Sequence, residues 1–181
     1  MVALKEMQDL APHFISVTAS NNKFNIEETT VRLADFICNG LHIPTIAHLP
    51  AVYLTKEMVT ETLTALDKVG VHKVLALRGD ILRDVEPQKD FVYATDLIEY
   101  IKKEAPHFEI IGACYPEGHP DSPDRVSNIK NLKKKVDAGC SSLVTQLFFD
   151  NERFYDFQER CTLAGIEVPI HAGIIPILNR N

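Results

Sequence analysis

The sequence predicts a parallel α/β fold, on three observations. Short apolar runs rich in valine and isoleucine alternate with longer amphipathic stretches. Helix-capping residues and glycines punctuate the joins. The alternation repeats about every 30 residues, the length of a strand–helix unit.

In chain order, "MVALKEMQDLAPHF" (1–14) carries charges where a secretory signal needs an apolar centre, so it reads as a helix. "FISVT" (14–18) is the first strand. "NIEETTVRLADFICNG" (25–40) is a helix with Asn25 as N-cap, Glu28 as the return partner of a capping box, and Gly40 as its stop. "IPTIAHL" is the second strand. "TKEMVTETLTALDKVG" is a helix capped by Thr55 and ended by Gly70. "KVLALRG" is the third strand, and "YATDLIEYIKKEAP" the helix after it. "FEIIGACYP" is the fourth strand. "SPDRVSNIKNLKKKVDAG" is a helix with Pro123 near its first turn and Gly139 past its end. "SSLVTQLFF", "NERFYDFQERCTLAG" and "VPIHAGIIPI" complete the series as strand, helix and strand.

Six nearly continuous apolar strands with helices between them imply a sheet covered on both faces and joined by right-handed crossovers. A closed (β/α)8 barrel takes about 250 residues, and this chain has 181. It opens on a helix and closes on a strand, the frame of a barrel without its first strand and last units. An open doubly wound sheet fits the same pattern, and periodicity leaves both open. No linker or low-complexity segment interrupts the chain, so residues 1–181 read as one domain.

Composition excludes several classes. The net charge is −6, with no basic stripe and no interleaved aromatics, which argues against a nucleic-acid partner. No apolar run reaches the length of a membrane span. Cys38, Cys114, Cys140 and Cys161 are far apart and form no CxxC pair, the pattern of reduced thiols in a cytoplasmic protein. No HExxH or paired Cys/His spacing appears, so no metal site is expected.

In parallel α/β folds, sites form at the carboxyl ends of strands. There the sequence sets Thr18, His48, Arg78-Gly79-Asp80, Tyr115 to His119, Gln146 with Asp150, and Gly173 with Pro176. Each has a plain structural reading: a satisfied core histidine for His48, a turn former for Asp80. Gln146 ends an apolar strand, where its amide needs hydrogen-bond partners and suits a heterocycle edge. Gly79 would let backbone approach a ligand. Tyr93-Ala94-Thr95 opens a helix, where N–H groups favour phosphate. Lys133, Lys134 and Lys135 read as a solvated helix face, although Asn131 shares that face with Lys134 and Lys135 and the group could hold an anion. No GxGxxG, GxxxxGK[ST] or GxSxG sequence is present.

"LALRGD", "YATDL", "CYPEGHP", "NLKKKVDAG" and "VTQLFFD", in that order, resemble the methylenetetrahydrofolate reductase family, from "FISVT" to "GIIPILN". That resemblance implies a flavin-dependent (β/α)8 barrel of one-carbon and methionine metabolism, here a partial barrel of about six strands. It implies FAD as cofactor and NAD(P)H as electron donor, reducing 5,10-methylenetetrahydrofolate to 5-methyltetrahydrofolate. By position, Thr18, His48, Arg78, Gly79 and Asp80 correspond to residues around the flavin ring and ribityl chain, and Tyr93, Ala94 and Thr95 to the stretch at the FAD phosphates. Tyr115, His119, Asn131, Lys134 and Lys135 correspond to the diphosphate and adenosine side. Asp80 and Gln146 match the carboxylate and amide on the folate pterin. Asn128 stands where some relatives carry an acid. The family's general-acid glutamate precedes this chain, so the chain alone is expected to be inactive. A truncated, non-catalytic flavin- or folate-binding homologue or partner subunit is the alternative, and a homo-oligomer is expected.

Overall fold

The computed structural model describes residues 4, 6–19, 27–81 and 86–176. They form two compact units, Met1–Ile110 and Ile111–Asn181. The boundary falls inside a strand, Glu109–Cys114, and not in a linker.

In the first unit, strands β1 (Ile15–Val17), β2 (Thr45–Pro50) and β3 (Lys73–Leu77) lie side by side in sequence order, all parallel. Val17 sits opposite Ala47, and His48 opposite Leu75. Between β1 and β2 the chain is helical over 27–40. One α turn, α1 (Arg32–Asp35), is flanked by wide π turns at Glu27–Val31 and Phe36–Gly40. The expected cap at Asn25 and the side chain of Glu28 lie outside the described residues. Helix α2 (Lys56–Lys68) starts as expected, with Thr55 Oγ1 accepting from the Met58 N–H at 3.2 Å. Its buried residues Val59, Thr62, Leu63 and Leu66 follow helical spacing. Helix α3 (Ala94–Glu104) buries Ala94, Leu97, Ile98 and Ile101 in the same rhythm. Val17, Ile37, Leu41 and Ile43 form a core cluster under β1 and the first helical stretch.

Strand β4 (Glu109–Cys114) starts in the first unit and enters the second at Ile111, where β4, β5 (Ser142–Thr145) and β6 (Ile170–His171) are again parallel neighbours in sequence order. Helix α4 (Arg125–Asp137) is capped by Asp124, which accepts from the Ser127 N–H at 2.7 Å, so Pro123 precedes the cap. Asp150 caps α5 (Asn151–Leu163) through the Glu152 N–H at 3.0 Å. Cys114, Ile129, Leu132, Leu143, Phe157, Cys161 and Ile166 form the core of this unit.

A doubly wound sheet reverses its strand order at a switch point. Neither unit does so: each runs strictly in sequence, as a (β/α)8 barrel requires. The α/β class with six parallel strands and the order of a partial barrel is therefore what the chain adopts. Two segments depart from expectation. The predicted N-terminal helix is present at Leu4 and Glu6 and tightens over Met7–Leu10, but it stops there, ended by Ala11 in the left-handed region at φ 44° just before Pro12. Proline disfavours helical geometry in the residue before it. Among the described residues the last apolar run pairs only over Ile170–His171, and Ile174 and Ile175 are exposed.

All four cysteines are free. Burial pushes the Cys114 thiol up to about 12 and the Cys161 thiol to about 11, so neither is a nucleophile near neutral pH. No helix among the described residues is long and apolar enough to cross a membrane.

Candidate functional site

Because β1, β2 and β3 are parallel, their carboxyl ends share one edge. Thr18 follows the last residue of β1 and is exposed. His48 is half-buried in β2, between the fully buried Ala47 and Leu49. Its Nε2 lies 2.8 Å from the Ser16 hydroxyl across the strand pair. Ser16 belongs to the rim but was not apparent in the sequence, because only the β1–β2 register brings it to His48. Arg78, Gly79 and Asp80 leave β3 three to five residues past the level of His48.

The turn after β3 is held by its own chain. The Val52 N–H donates to the Arg78 carbonyl at 2.9 Å, and the Gln88 N–H to the Val52 carbonyl at 2.8 Å. Gly79 has φ +87°, and a Cβ there would meet Pro50 Cβ at 3.0 Å and Val52 Cγ1 at 3.1 Å. Beside the expected reason for this glycine, close approach to a ligand, the structure supplies a second one. The left-handed backbone and the packing of Pro50 and Val52 already demand it. Asp80 is exposed, and among the described residues no N–H donates to its carboxylate.

Tyr93 is the exposed N-cap residue of α3. The Asp96 carboxylate accepts from the Val92 and Tyr93 N–H groups at 2.8 and 2.9 Å, which fixes the opening turn. Among the described residues nothing accepts from the Ala94 or Thr95 N–H. Two backbone donors at the positive end of a three-turn helix form an anion-binding arrangement.

Burial holds the His48 imidazole below the ordinary histidine range. A lowered folded value means that the unfolded chain binds the proton first, so stability is lost as pH falls below the unfolded value of about 6.5 and levels off past the folded one. We expect the urea midpoint of the chain to fall over that window, and the fall to be shallower in His48→Gln. An unchanged profile in the variant would assign the dependence to other groups.

In the second unit, Tyr115 follows β4 and its ring meets the His119 ring edge-on, centroids 4.5 Å apart. His119 Nδ1 accepts from the Asp121 N–H at 3.1 Å, which places the ring hydrogen of a neutral imidazole on Nε2. Asn128 ties this loop to α4. Its amide donates to the Tyr115 carbonyl at 3.2 Å and accepts from the His119 N–H at 3.3 Å. An ionised acid, which only accepts, cannot make both bonds, so the amide suits this loop. Asn128→Asp is expected to lose the donor and set a carboxylate against a carbonyl, at a cost of about 1–3 kcal/mol. A thermal melt equal to that of the unsubstituted chain would refute the double role.

The three-residue anion grip expected on α4 divides. Asn131 and Lys134 are exposed, whereas half-buried Lys135 donates to the Ala113 carbonyl at 2.9 Å, 5.9 Å above the Tyr115 ring centroid. Lys133 pairs with Asp137. Gln146 follows β5, and its N–H donates to the Cys114 carbonyl at 2.7 Å. Its side chain is exposed, and Oε1 accepts from the Leu147 N–H at 2.9 Å, so the amide nitrogen is the end presented outward.

The family model for methylenetetrahydrofolate reductase matches residues 1–181. The 5,10-methylenetetrahydrofolate reductase of Buchnera aphidicola subsp. Acyrthosiphon pisum is 39% identical over 173 residues, covering 94% of this chain and 57% of that protein. The Escherichia coli K12 protein of the same name is 33% identical over 177 residues, covering 98% of this chain and 58% of its own length. This chain thus spans a little over half of these relatives. Among solved structures, 2,3-dimethylmalate lyase superposes with TM-score 0.63 at 11% identity, covering 94% of this chain and 70% of that one. Oxaloacetate acetylhydrolase gives 0.58 at 15%, covering 94% and 72%. At those identities the likeness concerns the fold alone. The family model spans every residue, and the chain belongs to the methylenetetrahydrofolate reductase family.

Proposed function

We propose that this chain, as one domain, is the major part of an FAD-dependent 5,10-methylenetetrahydrofolate reductase that takes hydride from NAD(P)H in a cytoplasmic setting. The observation that carries this reading is the shared edge of β1, β2 and β3, which sets Thr18, His48 and Arg78-Gly79-Asp80 at one end of the parallel strands. The opening of α3 fits the cofactor. Its two backbone donors, Ala94 and Thr95, suit phosphate, with the exposed Tyr93 phenol beside them. Four free thiols agree with a reducing compartment.

Bound FAD would supply a two-electron carrier between nicotinamide and folate. The protein's residues bind and orient. Thr18, His48 and the turn at Arg78-Gly79 would line the flavin. Tyr115, His119, Asn131 and Lys134 would lie along the diphosphate and adenosine, with Lys135 bracing β4 beneath them. Opening the folate's imidazolidine ring leaves a cationic iminium at substrate N5, and the Asp80 carboxylate would stabilise it. Gln146, with its oxygen held by Leu147, would donate from its amide nitrogen to a pterin acceptor and so fix the ring's orientation.

The test is to purify the full-length protein from its reading frame. It should be yellow, release FAD on denaturation and bleach with NADH or NADPH under anaerobic conditions. A colourless protein that binds no added FAD would overturn the reading.

A further inference from the structure

The amino ends of β3 and β4 carry a second cluster, away from the rim that holds Asp80. Asp67 lies near the end of α2, His72 just before β3, and His107 just before β4. Asp67 Oδ1 lies 2.9 Å from His72 Nε2 and 3.1 Å from His107 Nε2. One carboxylate oxygen thus faces two imidazole nitrogens, and all three atoms lie within 4.8 Å of one another.

We propose that Asp67, His72 and His107 form a binding site for a first-row divalent cation of the zinc class. Imidazole and carboxylate are the donors such ions take. Bonds of about 2.0–2.1 Å in a tetrahedron set ligand atoms about 3.3 Å apart, so the ion enters after the imidazoles draw back by a few tenths of an ångström. In the ion-free chain each Nε2 carries the hydrogen facing Asp67, because an ionised carboxylate only accepts. Binding shifts that hydrogen to Nδ1 and turns the Nε2 lone pair to the metal.

The frame that carries the ligands is firm. The buried Phe108 ring lies edge-on to His72 at 5.8 Å and tilted to His107 at 4.9 Å. The Glu109 N–H donates to the His72 carbonyl at 2.8 Å, and Lys73 pairs with Glu109 at 2.7 Å. All three ligand side chains are about half exposed, so an ion can enter from solvent and keep water in its remaining position. Consecutive-motif rules miss such a site, because its ligands come from three separate segments.

The experiment titrates Zn2+ into the chelator-treated 181-residue chain in a non-coordinating buffer. One zinc per chain and a higher melting temperature are expected, with His72→Ala and His107→Ala each weakening binding 10-fold or more. Zinc should also protect both histidines of the unsubstituted chain from ethoxyformylation, a readout that needs no variant. Absence of stoichiometric binding, unchanged binding in both variants, lack of protection, or a thiolate charge-transfer band with Co2+ would each overturn the site.

Discussion

Replacing Asp80 with asparagine in the full-length protein is expected to slow reduction of 5,10-methylenetetrahydrofolate by about 100-fold or more. Reduction of the bound flavin by NAD(P)H should stay within a few-fold of the unsubstituted rate. The substitution keeps size and shape and removes one negative charge. On the proposed reading that charge matters only in the half-reaction in which the substrate becomes cationic, so the effect should be confined to it. The local structure makes the comparison clean. Residues 78–80 are held by the bond from the Val52 N–H to the Arg78 carbonyl and by the left-handed Gly79. Among the described residues no N–H donates to the carboxylate, so asparagine breaks no such bond among them. Anaerobic stopped-flow measurement of the two half-reactions decides. Equal slowing of both would show that Asp80 shapes the flavin site as a whole, and slowing of neither would remove its role.

The fold was legible because its signals are local. Thr55 caps α2, Gly70 follows its end at φ +74°, and Asp150 caps α5, each a matter of a few neighbouring residues. Apolar runs marked five strands well. They misjudged the sixth, where Ile174 and Ile175 are exposed beyond a two-residue ladder. Apolar composition permits a strand, but pairing needs a partner in register.

The site was legible as a set of polar groups at strand ends. What held each group was not. The Ser16–His48 contact depends on the register of β1 against β2. Asn128 acts through two backbone groups 9 and 13 residues away. Lys135 resembles Lys134 in sequence, yet its half-buried position turns it to the Ala113 carbonyl while Lys134 stays in solvent. Gly79 reads in the sequence as room for a ligand, and the structure adds the packing of Pro50 and Val52 as a reason of its own. In each case a tertiary neighbour decided between meanings that the residue type allowed.

Gly173→Ala is expected to be the most damaging glycine substitution in the second unit. A Cβ on Gly173 would lie 2.4 Å from the Thr145 carbonyl oxygen, a backbone atom at the end of β5 that cannot swing aside. The Gly173 N–H also donates to Thr145 Oγ1 at 2.8 Å, so the chain after β6 is pinned to the residue its new methyl would strike. Relief requires the 172–174 segment to lift from β5, which strains or breaks that bond and disturbs the pairing of Val144 with His171. Overpacking of this kind costs about 1–3 kcal/mol, a fall in melting temperature on the order of 5 °C for a chain of this size. Gly118→Ala is the control: its φ is +98°, but no atom lies within 4 Å of the added Cβ, so only backbone strain is introduced. A melt for Gly173→Ala no lower than the control would show that the close approach can relax. The position also bears on the proposed function, because Gln146 directly follows Thr145 at the end of β5 and its N–H is tied to the Cys114 carbonyl. Displacing Thr145 should therefore shift the amide proposed to hold the pterin, raising KM for folate in the full-length protein while the NAD(P)H half-reaction holds.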